Sequence, residues 1–137
     1  ETLKNFWYGD CYDKRVDREI TCAPAGSVAA GRKAVFIGAG ALPLTAIILN
    51  RKTGMPVTCV DSDPAACRRA EALIEKLGIA NMRVICADGA DLNYNRFDTV
   101  FIASLVPQPL KEEIIDEIRN SKTPTFVAVR SAEHLHT

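Results

Sequence analysis

The fold is decided by the stretch VFIGAGALP, residues 35–43. An apolar run leads directly into two glycines, and a proline follows three residues later. Because glycine lacks a Cβ, Gly38 and Gly40 let the backbone turn tightly and let a ligand approach it closely. Pro43 suits the first turn of a helix, where no backbone N–H is needed. The stretch predicts a strand, a nucleotide-binding loop and a helix; a Gly-rich turn without a ligand is the alternative.

Strands and helices alternate through the rest of the chain. Nearly continuous apolar runs predict five strands that helices cover on both faces. The runs are residues 34–37, 57–60, 83–86, 99–102 and 125–129. Because crossovers between parallel strands are right-handed, we predict an α/β fold with a doubly wound, mainly parallel sheet. A ligand would then bind at the carboxyl ends of the strands.

Three helices are predicted, each after a proline. The first follows Pro43 and ends before Gly54, and the second runs from Pro64 until Gly78 ends it with a positive φ. The third, after Pro109, is amphipathic. Its apolar face is formed by Leu110, Ile114, Ile115 and Ile118. Its charged face is formed by Lys111, Glu112, Glu113 and Glu117.

The composition is that of one ordinary globular domain. The chain has 137 residues, 47% of them hydrophobic, and 17 basic and 17 acidic side chains give a formal net charge of +0. Balanced, scattered charge offers no positive field to a phosphate backbone, so we expect no nucleic acid partner. No apolar run approaches the roughly 20 residues that span a bilayer. We therefore expect a soluble, cytoplasmic protein without a membrane partner.

Cysteine usage favours a reduced protein without a metal site. The five cysteines are odd in number and contain no C-x-x-C pair. Cys59 and Cys86 lie inside apolar runs, where a reduced cysteine behaves as a small hydrophobic residue. We therefore predict no metal ligands.

The residues around the glycines indicate the kind of nucleotide. Asp61 lies 21 positions after Gly40, where such folds place a carboxylate that accepts hydrogen bonds from ribose hydroxyls. No Walker lysine follows the glycines, which excludes a P-loop. Pro43 replaces the third glycine of the dinucleotide motif. A dinucleotide is the alternative, but the pattern favours a cofactor read by ribose and adenine without a pyrophosphate, which is S-adenosylmethionine.

Two further carboxylates complete the candidate cofactor site. Asp88 can accept a hydrogen bond from an adenine amino group, with an Asx turn before Gly89 as the alternative. Asp63 precedes Pro64, which favours a helix cap over a cofactor contact. The predicted cofactor-binding residues are Gly38, Gly40, Leu42, Pro43, Asp61, Asp63, Asp88, Gly89 and Ala103.

Residues after the fourth and fifth strands are candidates for binding the second substrate and for catalysis. Ser104 and Leu105 would line the mouth of the cleft, although small residues there also suit packing. Arg130 can grip a substrate carboxylate with its guanidinium, or pair with a neighbouring acid. Glu133, His134 or a segment outside this sequence can supply a general base, with an exposed polar residue as the alternative for His134.

Four blocks of the sequence resemble the nicotianamine synthases and their bacterial and archaeal relatives, which make opine-type metallophores. The blocks are residues 35–45 (VFIGAGALPLT), 61–64 (DSDP), 97–106 (FDTVFIASLV) and 129–132 (VRSA). The string LPLT after the glycines is the distinguishing part, because ordinary methyltransferases share the fold but rarely this string. The stretch FWYGDCY, residues 6–12, also resembles the segment that precedes the family's nucleotide-binding domain.

The resemblance implies transfer of the aminocarboxypropyl group of S-adenosylmethionine to an amine of a small amino-acid-like acceptor. The products would be methylthioadenosine and a metal chelator. Tyr8 or Tyr12 would donate a hydrogen bond to the methionine carboxylate, with simple packing as the alternative. Such a displacement needs positioned reactants and a deprotonated amine more than a covalent nucleophile. A small-molecule methyltransferase and a nucleotide-binding module without catalysis are the alternative functions.

The resemblance also indicates that the chain is a piece of a longer protein. Family members carry a helical N-terminal domain and further strands. We therefore expect residues 1–33 to be a helical lead-in and linker, and residues 34–137 to be the nucleotide-binding domain, truncated after its fifth strand. Most residues that recognise the acceptor would then lie outside this piece, and the piece alone can be inactive. Its fifth strand would be an apolar sheet edge, which predicts a homodimer or aggregation.

Overall fold

Five parallel strands form one sheet at the centre of the molecule. They are β1 (Ala34–Ile37), β2 (Val57–Asp61), β3 (Met82–Cys86), β4 (Thr99–Ile102) and β5 (Phe126–Val129). The structure is a computed structural model that describes residues 16–18, 20–21, 23, 28, 31–40, 42–103, 106–124 and 126–129. Each strand begins within one residue of its predicted start, so the apolar runs identify the strands correctly.

Helices occupy the three connections that the prolines mark. They are α1 (Leu44–Thr53), α2 (Pro64–Leu77) and α3 (Leu110–Arg119), and two short 3-10 helices at Gly89–Asp91 and Tyr94–Arg96 connect β3 to β4. Gly54 and Gly78 end α1 and α2 in the left-handed conformation, with φ of 72° and 69°. The predicted helix ends are thereby confirmed.

The strand order is β3-β2-β1-β4-β5. Ala34 at the start of β1 pairs with Val57 of β2 on one side and with Thr99 of β4 on the other. The chain moves outward from β1 to β3 and then returns to the opposite side of β1. The order therefore reverses between β1 and β4, and ligands of such sheets bind outside the carboxyl ends of the strands at this reversal. The predicted doubly wound, parallel topology is confirmed.

The two faces of the sheet carry separate cores. Phe36 packs on the face covered by α1 and α2, whereas Val35 and Ile37 pack on the face covered by α3, as the two-residue alternation of a strand requires. The Phe36 ring stacks on Phe101 of β4 with centroids 5.9 Å apart, and Phe101 meets Phe126 of β5 edge-on at 6.1 Å. These aromatic contacts join three neighbouring strands.

The edge strands are less covered than the sequence predicts. β1 and β4 are buried at every residue, but Arg83 and Cys86 in β3 and Val129 in β5 are exposed. The prediction of full cover is wrong for β3 and β5, because these strands lie at the sheet edges. Cys59 is buried as predicted, but Cys86 is not a buried hydrophobic residue.

One residue of α3 also departs from its predicted face. Lys111 is buried, whereas the sequence analysis placed it on the charged face. Position 111 lies three and four residues before Ile114 and Ile115, and residues at these spacings share one side of a helix. The aliphatic stem of a lysine can pack along such an apolar stripe.

The described part of the lead-in segment contacts the domain. Residues 16–18 and 20–21 are helical, and Val16 is buried in the core beneath α1 and α2. Lys52 Nζ at the end of α1 lies 2.9 Å from Asp17 Oδ1. No helix among the residues that the structure describes has the length and apolar character needed to cross a membrane.

Candidate functional site

The loop after β1 is held between the carboxyl ends of β2 and β4. The backbone N–H groups of Gly38 and Ala39 donate to the carbonyl of Val60 at 2.8 and 3.2 Å. On the other side, the N–H of Ala103 donates to the carbonyl of Ile37 at 3.0 Å. The loop therefore lies at the reversal of strand order, where the ligand crevice is expected.

The two glycines of this loop have different surroundings. Gly38 and Gly40 both have a φ of 77°, which L side chains rarely adopt. A Cβ on Gly38 would lie 2.6 Å from Val106 Cγ2 and 3.3 Å from Ala103 Cβ. A Cβ on Gly40 would meet no described atom within 4 Å. Packing thus requires a glycine at position 38, whereas Gly40 presents bare backbone to space that none of the described residues fills and that a ligand can occupy.

Asp61 joins the end of β2 to the glycine loop. Its Oδ2 accepts a hydrogen bond from the N–H of Gly40 at 2.9 Å, and its Oδ1 accepts one from the N–H of Asp63 at 3.0 Å. A carboxylate offers about four acceptor positions, of which these two bonds use half. Asp61 is half-buried, so its remaining lone pairs can accept bonds from the hydroxyls of a ligand.

Asp63 has a structural task in the same turn. Its Oδ1 accepts a hydrogen bond from the N–H of Ala65 at 3.0 Å and so caps α2. The predicted cap is confirmed, and it uses one oxygen of a carboxylate that is also a predicted cofactor ligand.

Asp88 follows β3 in the turn that begins the first 3-10 helix. Its Oδ1 accepts a hydrogen bond from the N–H of Ala90 at 2.9 Å, so the Asx turn weighed as an alternative is present. The side chain is exposed, and a carboxylate with one bonded oxygen retains acceptor positions. The turn therefore orients Asp88 without excluding a ligand contact.

Two buried residues, Gly89 and Tyr94, support the Asp88 turn from the interior of the protein. Gly89 is buried, and a Cβ there would lie 2.7 Å from Ile114 Cδ1 and 3.0 Å from Ile37 Cγ2. Packing against α3 and β1 therefore accounts for the glycine. The hydroxyl of Tyr94 donates to the carbonyl of Gly89 at 2.6 Å. Burial raises the pKa of Tyr94, which keeps this donor protonated.

Leu42 and Pro43 differ in what they offer a ligand. Leu42 is 58% exposed beside the glycine loop, so it provides apolar surface next to Gly40. Pro43 is buried at the start of α1, where its carbonyl accepts from the N–H of Ile47 at 3.0 Å. Pro43 therefore shapes the loop from inside the protein.

Two thiols that the sequence analysis did not connect contact the Asp61 turn. The Sγ of Cys67 donates to the carbonyl of Asp61 at 3.3 Å, and the Sγ of Cys86 donates to that of Ser62 at 3.8 Å. The signal that could have connected Cys86 with the Asp61 turn is the register of the strands, because Asp61 pairs with Cys86 across β2 and β3. Within the described residues, no three His, Cys, Asp or Glu side chains are arranged to hold a metal ion.

The structure brings together most of the described candidates at one end of the sheet. Gly40, Leu42 and Asp61 lie just beyond or at the carboxyl ends of β1 and β2, and Asp88 follows the neighbouring strand β3. Seven candidates lie outside the described residues. They are Tyr8, Tyr12, Ser104, Leu105, Arg130, Glu133 and His134.

Comparison with known proteins identifies the family. The family model described as nicotianamine synthase protein matches residues 1–136. The chain belongs to the nicotianamine synthase family. The resemblance of the sequence blocks around LPLT is thereby confirmed.

Two curated relatives carry the name L-histidine 2-aminobutanoyltransferase. The protein from Yersinia pestis is 31% identical over 116 residues, which are 83% of this chain and 43% of the relative. The protein from Pseudomonas aeruginosa (strain UCBPP-PA14) is 34% identical over 97 residues, which are 69% of this chain and 36% of the relative. The chain thus spans less than half the length of these relatives.

Solved structures with the same fold include members of the family. A mutant of MtNAS in complex with S-adenosylmethionine has a TM-score of 0.78 and 31% identity, covering 93% of this chain and 48% of that chain. MtNAS in complex with MTA and tNA has a TM-score of 0.77, 31% identity, and coverages of 93% and 47%. A putative sarcosine dimethylglycine methyltransferase from Galdieria sulphuraria, with a TM-score of 0.73, 22% identity and coverages of 85% and 44%, shares the fold alone.

Proposed function

We propose that the protein transfers the aminocarboxypropyl group of S-adenosylmethionine to the amine of a small amino-acid-like acceptor. The observation that carries this proposal is the contact between Asp61 and Gly40 at the strand-order reversal, in a chain of the nicotianamine synthase family. The curated relatives are named for transfer to histidine. Because the chain spans less than half of these relatives, the proposal concerns the whole protein.

The two MtNAS complexes support the identity of the substrate and product. One contains S-adenosylmethionine, and the other contains MTA, the abbreviation of methylthioadenosine. Methylthioadenosine is S-adenosylmethionine without its aminocarboxypropyl group, whereas methyl transfer would leave S-adenosylhomocysteine. The pair therefore favours aminocarboxypropyl transfer over the methyltransferase alternative.

The described residues fit the adenosine part of such a substrate. The lone pairs of Asp61 that the backbone leaves available are acceptors for the ribose hydroxyls. Asp88, in its Asx turn, would accept a hydrogen bond from the adenine amine. The open space at Gly40 lets the substrate approach the loop backbone closely. Asp63 and Gly89 would support the site through the α2 cap and through packing.

The reaction is a displacement that depends on positioning. The acceptor nitrogen attacks the γ-carbon of the methionine part, the bond from that carbon to sulfur breaks, and the sulfonium becomes a neutral thioether. The acceptor nitrogen loses a proton, which Glu133 or His134 would accept. The exposed Leu42 side chain would pack against the substrate so that its γ-carbon faces the acceptor and its methyl group faces the wall.

The remaining assignments are part of the same proposal. Tyr8 or Tyr12 would donate to the methionine carboxylate of the substrate. Ser104, Leu105 and Arg130 would bind the acceptor, whose carboxylate matches the guanidinium fork. The product would be a nicotianamine-like or opine-type metal chelator made in the cytoplasm. For the 137-residue chain by itself, we also propose a homodimer or aggregation through the outer edge of β5, where Val129 is exposed.

The test follows the methyl group of the substrate. The full-length protein is incubated with S-adenosylmethionine that carries an isotopic label in the methyl group, together with histidine and other amino acids as acceptors. We expect mass spectrometry to find the label in methylthioadenosine and an unlabelled acceptor enlarged by one aminocarboxypropyl unit. Label in the acceptor would instead establish a methyltransferase and contradict the proposal.

A further inference from the structure

Two cysteine side chains from different elements converge on the turn that carries Asp61. Cys67 lies in the first two turns of α2 and is buried, with 3% of its surface exposed. Cys86 is the last residue of β3 and is exposed. Their Sγ atoms lie 3.3 Å from the carbonyl of Asp61 and 3.8 Å from the carbonyl of Ser62, which are consecutive peptide groups.

The two thiols also interact with each other. The Sγ of Cys67 also donates to the carbonyl of Ile85, the residue before Cys86, at 3.9 Å. Burial, together with the neighbouring Cys86 thiol, raises the pKa of Cys67 to about 11. The strand register explains the proximity, because Cys86 pairs with Asp61 across β2 and β3 while α2 starts immediately beyond that turn. Neither thiol has a role in the proposed transfer reaction.

We propose that Cys67 and Cys86 are a modification site, which a hydroperoxide oxidises to a disulfide that weakens nucleotide binding at Asp61. The effect on binding rests on the proposed function, whereas the disulfide itself does not. The exposed partner provides access for the oxidant, and the buried partner lies beside it to complete the bond.

The chemistry balances with hydrogen peroxide as the oxidant. The sulfur of Cys86 attacks one peroxide oxygen, the O–O bond breaks, and Cys86 becomes a sulfenic acid with release of one water. The sulfur of Cys67 then attacks the Cys86 sulfur, and the hydroxyl leaves with the Cys67 proton as a second water. The two thiols lose two electrons and two protons in total, and the peroxide is reduced to two waters.

Hydrogen bonds connect this pair to the nucleotide site. The N–H of Cys67 donates to the carbonyl of Asp63 at 3.0 Å, and the N–H of Asp63 donates to Oδ1 of Asp61 at 3.0 Å. A disulfide holds its sulfurs about 2.05 Å apart and has no S–H to donate. Closing it draws the start of α2 toward the end of β3 and removes both thiol donors. The carbonyls of Asp61 and Ser62 then lose their thiol donors, and the shift of α2 displaces the N–H of Asp63 that holds Oδ1 of Asp61.

The disulfide can be located by peptide mapping. Trypsin cleavage yields peptide 53–68, which contains Cys59 and Cys67, and peptide 84–96, which contains Cys86. In a Cys59→Ala variant of the 137-residue protein, Cys67 is therefore the sole cysteine of its peptide. After peroxide treatment we expect one species with the summed mass of the two peptides less two hydrogens, which dithiothreitol separates. A Cys67→Ser variant should instead retain a sulfenic acid at Cys86 that dimedone traps.

The effect on binding is measured by calorimetric titration of the full-length protein with S-adenosylmethionine. We expect the oxidised protein to bind at least about tenfold more weakly than the reduced protein, with recovery on reduction. The Cys67→Ser and Cys86→Ser variants serve as matched controls, because peroxide should leave their affinities within about twofold of the untreated values.

The outcomes separate the two proposals. Cross-links from Cys86 to Cys11 or Cys22, or no cross-link, would overturn the modification site. A mapped disulfide with unchanged affinity would overturn its effect on the nucleotide site. Reduced protein that fails to bind S-adenosylmethionine would contradict the proposed function and the binding effect together, while the mapping result would still decide whether the disulfide forms.

Discussion

At the scale of the single residue, Asp61 has two tasks that its carboxylate can perform together. It orients the loop by accepting from Gly40 and Asp63, and two of its about four acceptor positions are left for the proposed nucleotide. The spacing of 21 residues from Gly40 predicted that Asp61 belongs to the site. The hydrogen bond to the loop backbone could not be predicted, because it depends on the conformation that Gly40 adopts.

Removal of the Asp61 carboxylate should weaken binding of methylthioadenosine. A hydrogen bond to a charged group contributes roughly 1.5 to 3 kcal/mol, so we expect Asp61→Ala to reduce affinity about tenfold to a hundredfold in calorimetric titration. Asp116→Ala is the matched control, because Asp116 is an exposed carboxylate on α3 that pairs only with Arg119 among the described side chains. This control should bind as the unaltered protein does.

A modified ligand separates the two tasks of Asp61. An analogue of methylthioadenosine without its ribose hydroxyls cannot donate hydrogen bonds to the carboxylate. The affinities of the unaltered protein and of Asp61→Ala should therefore differ less for this analogue than for methylthioadenosine. Equal losses for both ligands would show that Asp61 acts on the loop alone and would remove it from ribose recognition.

Other features of the site depend on contacts that sequence patterns do not contain. Tyr94 supports the Asp88 turn by donating to Gly89, but nothing in its spacing distinguishes it from an ordinary core tyrosine. Cys86 belongs to an apolar run, yet it is exposed because its strand lies at the sheet edge. A residue type and a spacing predict chemistry, whereas accessibility follows from the position of the whole strand.

At the scale of the element, the loop between β1 and α1 constrains its two glycines in different ways. Both glycines have the same φ of 77°, but only Gly38 is crowded, by Val106 and Ala103. The strain of a left-handed conformation is therefore shared by the two positions, and the steric conflict belongs to Gly38 alone.

Alanine substitutions measure these two effects separately. We expect Gly40→Ala to lower the free energy of unfolding by about 1 to 2 kcal/mol through backbone strain. Gly38→Ala should lower it by roughly a further 1 to 3 kcal/mol, because the new methyl group would lie 2.6 Å from Val106 Cγ2. Urea unfolding of both variants provides the comparison. Equal losses would indicate that Val106 moves aside readily, contrary to this explanation.

Most elements could be predicted because local signals and tertiary packing agree. Pro64, Asp63 and Gly78 mark the ends of α2 through a first-turn proline, a cap and a left-handed terminus. The face of Lys111 could not be read from its charge, because helix geometry places it beside Ile114 and Ile115. Polarity alone is therefore a weaker guide than position on the helix.

At the scale of the whole molecule, the alternation of strands and helices predicts a doubly wound parallel sheet but not the order of its strands. Right-handed crossovers permit few arrangements of five parallel strands, and the observed order is β3-β2-β1-β4-β5. The order of the strands in turn locates the crevice between the ends of β1 and β4. The candidate residues Tyr8, Arg130 and His134 stay predictions, because they lie outside the described residues.

Buried thiols make the stability of the whole molecule depend on pH. Burial, assisted by the nearby Cys67, raises the pKa of Cys59 from its ordinary value of 9.0 to about 12. Below pH 9 the Cys59 thiol keeps its proton in both the folded and the unfolded chain, so its contribution to the free energy of unfolding has its full value. Above pH 9 the unfolded chain releases the proton while the folded chain retains it, so the free energy of unfolding falls as the pH rises toward 12.

A Cys59→Ala variant isolates this contribution. The free energy of unfolding is measured with urea under reducing conditions at pH 8 and pH 10.5. Between these pH values it should fall less in the variant than in the unaltered protein. The difference should be up to about 1.4 kcal/mol per pH unit above pH 9. The cavity left by the substitution lowers stability equally at both pH values, so the slope is the diagnostic quantity. Parallel dependences on pH would contradict the assignment to Cys59.

The hydrogen bond from Gly40 to Asp61 has a consequence for the entropy of binding. It joins residues 21 positions apart, so the loop conformation is selected when β1 and β2 come together during folding. Fixing the backbone of one residue costs about 1 to 2 kcal/mol in conformational entropy at 25 °C. Because this hydrogen bond orders the loop during folding, binding of a ligand does not have to order it again. The conformational entropy of the loop therefore lowers the affinity for the ligand less.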